Sequence, residues 1–328
     1  MRLSMKKVLG IDLGGTSAKF GVINQYGEIE QKGVVKNDMN NLLPNLVNQV
    51  MASLKEWGYD YKTDIERIGF DSPGFIDHKN GIIKIAGNLN WFDFNLKAEL
   101  EKLFVDKPVY VLNDANAAAL GEFWTGAASK YNSEIFYILG TGVGGAIVLD
   151  GKLVTGEHGF AGEFGHGGHM QEVFSCNCGI KECLEPTTSA IGVARTMKKI
   201  FAENPEHPVK KLLETNGVVI ENLEMKDIAT VYKKTKDLGL KELLLEIYKP
   251  LLTHMSLMIY ALDTKAVVLG GGGSKMGQDL VDIVWEGLDN IVVDMYKKDV
   301  VISIAELGND AGIVGAAYYA INDWEWTI

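Results

Sequence analysis

The amino-acid sequence predicts an α/β protein of two domains, and three observations carry that expectation. The chain has 328 residues, enough for two hydrophobic cores. β-forming runs alternate with helical patterns from one end to the other. Two β–glycine-turn–β units, one at the N-terminus and one starting at Glu134, stand about one domain's length apart, as an internal duplication would leave them.

Composition narrows the class. Apolar residues make up 47% of the chain and charged residues 23%, which suits a globular fold. A formal net charge of −11 argues against nucleic acid or an anionic membrane as partner. Anionic ligands must then be held by local backbone donors and a metal ion. No apolar run approaches the roughly 18 residues of a membrane span, and Asp12 interrupts the first apolar run before a signal-peptide core can form. A cytoplasmic protein is expected.

Lys7 to Asp12 and Ala18 to Asn24 read as two strands joined by Leu13, Gly14, Gly15, Thr16 and Ser17. The glycines let backbone N–H groups approach a phosphate, Thr16 and Ser17 add hydroxyls, Lys19 adds a charge, and Asp12 can hold Mg²⁺ through water. The P-loop spacing is absent, and a plain hairpin explains the same residues. Asn40 to Trp57 has helical periodicity. Ile65 to Phe70 is a strand ending in the turn Asp71, Ser72, Pro73, Gly74. Gly81 to Ile85 is an edge strand, and Gly87 to Trp91, with Asn88, a polar loop before the helix Leu96 to Leu103. Val109 to Leu112 is a buried strand running into Asn113 and Asp114, then the helix Ala117 to Trp124. Ligands of open α/β sheets bind beyond such strand ends, although Asp114 in isolation also suits a helix N-cap.

Glu134 to Leu139 and Ala146 to Asp150 enclose the second glycine turn, with Thr141, Gly142 and Gly144. Ser189 to Phe201 and roughly Leu240 to Leu262 are helical. The strand Ala266 to Leu269 opens onto Gly270 to Gly273 and Ser274, where Gly271 and Gly272 suit close approach of a nucleotide base and ribose, and a helix Met276 to Met295 follows. Val300 to Ala305 is the last strand, and Asp310 to Ile321 a tightly packed closing helix.

All three cysteines, Cys176, Cys178 and Cys183, fall between Gly162 and Glu185. Thiolate and imidazole are ligands zinc prefers, and four of them close a tetrahedral structural site. Gly179 can take the left-handed conformation a tight knuckle needs. The nearest fourth ligand is His166, with His158 and His169 as competitors. A reduced cysteine cluster or a redox pair is the plainer alternative, but a cysteine trio in an acidic, cytosol-like chain points to metal. Such a staple would hold Glu163, His166 and Glu185 rigidly enough to bind a ligand rich in hydroxyls.

Taken in order, IDLGGTSAKFGV, DSPGFID, NDANAAALGE, LGTGVGG, GEFGH with CNCGIKECLE, and LGGGGS with the closing helix resemble the ROK family of sugar kinases, within the actin-like ATPases. The resemblance spans nearly the whole chain. It implies a two-domain actin-like (ribonuclease H-like) fold with a cleft, the smaller domain being residues 1–112 plus 311–328 and the larger 113–310. It implies an ATP-dependent kinase for a sugar 6-hydroxyl, glucose foremost, with N-acetylmannosamine, fructose or β-glucosides as alternatives. Asp114 matches the catalytic base. Gly74, Asn88, Asn113, Glu163, His166 and Glu185 match sugar contacts. Asp12, Gly14, Gly15, Thr16, Ser17, Lys19, Thr141, Gly142, Gly144, Gly271 and Gly272 match the ATP and Mg²⁺ side, and His166 with the three cysteines matches a structural Zn²⁺ site. The family often forms dimers.

Two departures stand out. Glu182 occupies a place where many relatives have glycine, and Pro186 follows Glu185, which puts the sugar's identity in play. A sugar-sensing repressor of the same family would need a DNA-binding domain ahead of the first strand, where only about six residues precede it. An actin-like assembly ATPase would have no reason to keep Asp114, Glu163 and Glu185 beside a zinc knuckle.

Overall fold

The computed structural model describes residues 7–167 and 174–322. The chain divides into two compact units, one of Met1–Ser133, Ala146–Gly162 and Glu306–Ile328, the other of Glu134–Gly145 and Glu163–Ala305.

In the first unit, β1 (Lys7–Leu13), β2 (Ser17–Asn24) and β3 (Ile29–Lys36) form an antiparallel meander. Further strands are β4 (Ile65–Ser72), β5 (Phe75–Asp77), β6 (Ile82–Ala86), β7 (Trp91–Asn95) and β8 (Val109–Asn113). The main sheet has the order β3-β2-β1-β4-β8, with β1, β4 and β8 parallel, and β5-β6-β7 make a small antiparallel sheet.

The period-2 alternation of β1 and β4 decides what each face carries. Leu9, Ile11, Ile68 and Phe70 join the core that also takes Leu46, Val50 and Leu54 of the helix Leu42–Glu56. Val8, Gly10, Gly69, Asp12 and Asp71 point the other way, toward the closing helix Ala311–Asn322. Gly10 and Gly69 are register partners, and a Cβ on either would lie 2.0 or 1.9 Å from a carbonyl oxygen of that helix, Ile313 or Ala316. Gly315 meets the backbone of the helix Asp114–Thr125 just as closely. Small residues on three elements therefore bring backbone against backbone, with the carboxylates just beyond the seam.

That seam places Asp114 in the first unit, because its helix packs on the closing helix. The division thus differs from the expected boundary after residue 112. Four strands escape sequence patterning, the short β5 and β11 as well as β3 and β7. β3 is an edge strand with four residues exposed, and only its pairing to β2 defines it. β7 starts where the expected polar loop ends, at Trp91, and is held by β6.

The second unit holds β9 (Glu134–Leu139) and the turn Gly140–Gly142, after which β10 (Val143–Leu149) carries the chain back to the first unit, where it pairs with β11 (Lys152–Leu153). β12 (Ala266–Gly270) lies parallel between β9 and β13 (Val301–Ile304) and is buried throughout. The helices Ala190–Glu203, Met225–Thr235 and Leu238–Leu262 complete it. The helix expected over Met276 to Met295 is shorter, Gln278–Leu288, because the chain first makes a 3₁₀ turn at Gly272–Met276. Among the described residues, no helix is long and apolar enough to cross a membrane.

Candidate active site

In the first unit the helix Asp114–Thr125 begins at the end of β8, and its cap is Asn113, not Asp114. Asn113 Oδ1 accepts from Ala115 N at 2.9 Å and Asn116 N at 3.3 Å, while its Nδ2 donates to Gly74 O at 3.0 Å. Gly74 needs its φ of +114°, since a Cβ there would lie 2.4 Å from Ile85 O. Asn113 thus ties the β4–β5 turn to the helix start and relieves Asp114 of capping. Asp114 keeps a solvent-exposed face. Crowding by protein nonetheless pushes its carboxyl above the usual range; the Ala115 N–H, 2.8 Å from Oδ1, works against this and Asp12 adds to it. Asn88 is exposed on the turn Gly87–Leu89.

Asp12 pairs with Lys19 across the hairpin at 2.9 Å. The turn is braced by Gly14 N to Ser17 O and by Asn37, whose side chain donates to Gly14 O at 2.8 Å. Gly15 and Thr16 remain exposed. Asp71, beside Asp12 in the sheet register, is 0% exposed. Its carboxyl is pushed well above the usual range by burial first, then by Asp12 and Asp114, with Lys19 pulling the other way. Nothing in the turn DSPG distinguishes Asp71 from an ordinary turn residue, so its burial was invisible in the sequence.

The first unit also contains a cavity of about 470 Å³ lined by Asp77, His78, Lys84, Thr155, His158 and Phe160. His78 lies 3.5 Å from Asn116 Nδ2 through Nε2, its Nδ1 has no partner, and burial pushes it down to about 4.

In the second unit the ligand atoms of His166, Cys176, Cys178 and Cys183 lie within 4.8 Å of one another. Cys178 Sγ is 3.6 Å from Cys183 Sγ, and His166 Nδ1 is 3.8 Å from Cys176 Sγ. A tetrahedron with metal–sulfur bonds of about 2.3 Å has edges of about 3.8 Å, so the donor set fits zinc. His166 supplies the fourth donor of the cluster; His158 lines the first unit's cavity instead, and His169 lies outside the described residues. Gly179 has φ +80°, as the knuckle demands, and Glu182 accepts a left-handed φ of +60° without displacing the ligands. The other imidazole nitrogen, Nε2, faces Glu163 at 3.9 Å, the arrangement in which a carboxylate orients a metal-bound histidine.

The cluster is braced against the second glycine turn. Glu185 Oε2 accepts from Val143 N at 3.1 Å, and a Cβ on Gly142 would strike that oxygen at 2.2 Å. Gly145 faces the Phe164 ring and Gly165 faces Val143 O, both too close for any side chain. These glycines serve packing as well as turn geometry. Farther on, Gly272 borders a cavity of about 620 Å³ whose cations, Arg195, Lys198, Lys226 and Lys275, no spacing in the sequence pointed to. Gly271, at φ +83°, packs against the backbone of Leu139.

The ROK family matches residues 8–323. The glucokinase of Halalkalibacterium halodurans is 33% identical over 320 residues, 96% of this chain and 95% of that one. The beta-glucoside kinase of Listeria monocytogenes is 28% identical over 322 residues, 97% and 98% of the two chains. The crystal structure of a ROK family glucokinase from Streptomyces griseus, in complex with glucose and AMPPNP, has a TM-score of 0.77 at 29% identity and covers 97% of this chain and all of that one. The α/β units with their glycine turns and Cys/His cluster are those of an actin-like ATPase fold. Within it, the chain belongs to the ROK family.

Proposed function

We propose that this chain, an ATP-dependent sugar kinase, transfers the γ-phosphoryl group of ATP to the 6-hydroxyl of glucose, with Asp114 as general base. The observation that carries the proposal is the division of labour at the helix start. Asn113 caps, so Asp114 presents an exposed carboxylate of raised basicity, suited to accepting a hydroxyl proton. In this reading Glu163, His166 and Glu185 bind sugar hydroxyls, held in place by the zinc knuckle, with Asn88 and the Gly74 backbone as further contacts. Asn113 positions Asp114 and the Gly74 turn.

The cavity beside Gly272 takes the nucleotide base, and Arg195, Lys198 and Lys275 at its lining, with Lys226 paired to Glu224, favour the charged phosphate end of the nucleotide nearby. Gly14, Gly15, Thr16, Ser17, Thr141, Gly142 and Gly144 offer backbone and hydroxyl donors to phosphate, with Lys19 adding charge. The residues that fit Mg²⁺ are Asp12 and its neighbour Asp71, whose buried oxygens lack donors; the ion would neutralise charge on the transferring phosphoryl group. Glucose as the preferred sugar rests on relatives named for it. The beta-glucoside kinases and the buried Pro186 beside Glu185 support a second reading, a β-glucoside as substrate.

A coupled assay across hexoses and β-glucosides tests this. ATP turnover should require sugar and be fastest with glucose. Asp114→Asn should lower kcat by about 10²- to 10⁴-fold with unchanged melting temperature. Equal hydrolysis with and without sugar would refute the general-base role, and a faster β-glucoside would replace glucose.

A further inference from the structure

The cavity of about 470 Å³ in the first unit takes no part in the proposed chemistry, and none of its lining residues is a sugar or ATP contact of that reading. Its walls are the turn between β5 and β6, the loop from Thr155 to Phe160, and the closing helix through Tyr319. Gly312 of that helix borders the Asp12 carboxyl. Tyr319 follows two turns later, about 10 Å along the axis. The cavity is thus set back from the carboxylates at the strand ends.

Its walls are built to hold a shape. The loop is clasped by Ala161 N donating to Thr155 O at 3.0 Å, and Gly156 and Gly159 take left-handed φ of +72° and +82°. A Cβ on Gly159 would lie 3.0 Å from Ile76 O, so the loop sits directly on β5. Opposite, Asp77 closes the β5–β6 turn by accepting from Asn80 N at 3.1 Å and Asn80 Nδ2 at 2.8 Å. Phe160, packed edge-on against Phe75 with ring centroids 5.7 Å apart, and Tyr319 supply two aromatic surfaces.

His78, which lines the cavity, is 8% exposed and is kept uncharged by burial. Asn116 Nδ2 approaches its Nε2 at 3.5 Å; with that amide as donor, Nε2 accepts and the ring proton sits on Nδ1. Nδ1 is buried and has no partner, so a donor stands unpaired beside the cavity. The two lysines of the lining, Lys79 and Lys84, are matched by two carboxylates, Asp77 and Glu157, which favours an uncharged ligand over an ion. A ligand that fits brings an oxygen acceptor for Nδ1–H, an apolar face for the two rings, and several hydroxyls for the charged groups and Thr155. A pyranose has all three, and the volume lies within the range of small-molecule sites. We propose that this cavity is a second, non-catalytic binding site for an uncharged sugar, held by His78 and packed on Phe160 and Tyr319. The inference stands apart from the kinase reading, whose sugar contacts are other residues.

Equilibrium dialysis of the zinc-loaded full chain against radiolabelled D-glucose, without nucleotide, tests it. Two glucose molecules per chain are expected, one of them at the sugar site of the proposed kinase. The other should bind at least about tenfold more weakly in Phe160→Ala and in His78→Leu, with circular dichroism unchanged. In spectra of wild-type protein labelled at histidine, the imidazole resonance that is missing from His78→Leu should shift saturably with glucose. One glucose per chain that neither variant affects overturns the proposal, as does a His78 resonance that glucose does not move. Displacement of the second glucose by glucose 6-phosphate at about a tenth of the glucose concentration would also overturn it, because the site would then be anionic in preference. A single glucose per chain that both variants weaken would keep this site and remove the sugar contacts of the kinase reading.

Discussion

The cysteine cluster of the second unit and the carboxylate cluster of the first both gather side chains of one kind, and they are assembled by opposite means. His166, Cys176, Cys178 and Cys183 come from one short stretch, folded by two left-handed residues, Gly179 and Glu182. Asp12, Asp71 and Asp114 come from positions spread over a hundred residues and meet only through strand register and a glycine seam. The knuckle carries its own geometry within one stretch of chain; the acidic cluster borrows its geometry from three packed elements. A change inside the knuckle should therefore stay local, whereas a change in the seam should reach the acids from a distance.

The largest effect is expected where the knuckle loses its ion. Cys178→Ser or a strong chelator should remove about one zinc per chain, read by metal analysis, and abolish sugar-dependent turnover. Structural zinc contributes folding free energy outright, so the melting temperature should fall as well. Zinc retained by Cys178→Ser would break the comparison.

Next comes the seam. Gly315→Ala would put a Cβ 1.6 Å from Ala117 O, with backbone on both sides and no flexible side chain to yield. A loss of about 3 kcal/mol is expected, with reduced turnover but full zinc content. Zinc lost along with stability would mean that the two clusters are not independent.

A similar effect, spread over pH, belongs to His78 in the same unit. Its folded pKa is about 4 against an ordinary 6.5. Between those values the unfolded chain binds a proton that the folded chain refuses, so stability falls as pH falls, by about 1.4 kcal/mol per unit. Above pH 6.5 His78 adds no slope. Denaturant melts from pH 7 to 4 should show a shallower decline in His78→Leu, and identical slopes would rule out the buried, uncharged imidazole.

The smallest effect sharpens the local side. Glu182 holds a left-handed φ better suited to glycine, so Glu182→Gly should add no more than about 1 kcal/mol of stability, read as a higher thermal midpoint, with zinc stoichiometry unchanged.

How much of this was legible from sequence follows the same division. C-x-C-G-x-x-x-C with His166 ten residues earlier announced a metal site, because ligands close in sequence need only a turn to converge. The hairpin at Gly14 and Gly15 was legible for the same reason, as was the closing helix, through its small residues. Asp114 was recognisable as a strand-end carboxylate, yet the duty that sequence offered it, the N-cap, falls to Asn113. Asp71, Asn37 and the cations around Gly272 were not legible: each takes its role from a partner distant in the chain, and spacing carries no trace of it.

By itself, then, the sequence determined the α/β class, the Cys/His donor cluster and the order of motifs that marks the ROK family, since these depend on periodicity and short-range spacing. Tertiary structure alone decided that Asp71 is sealed beside Asp12, that Asn113 caps and Asp114 does not, and that glycines on β1, β4 and the closing helix form one seam. Burial and register are properties of packed neighbours, and a side chain's charge, partners and freedom depend on which neighbours the fold supplies.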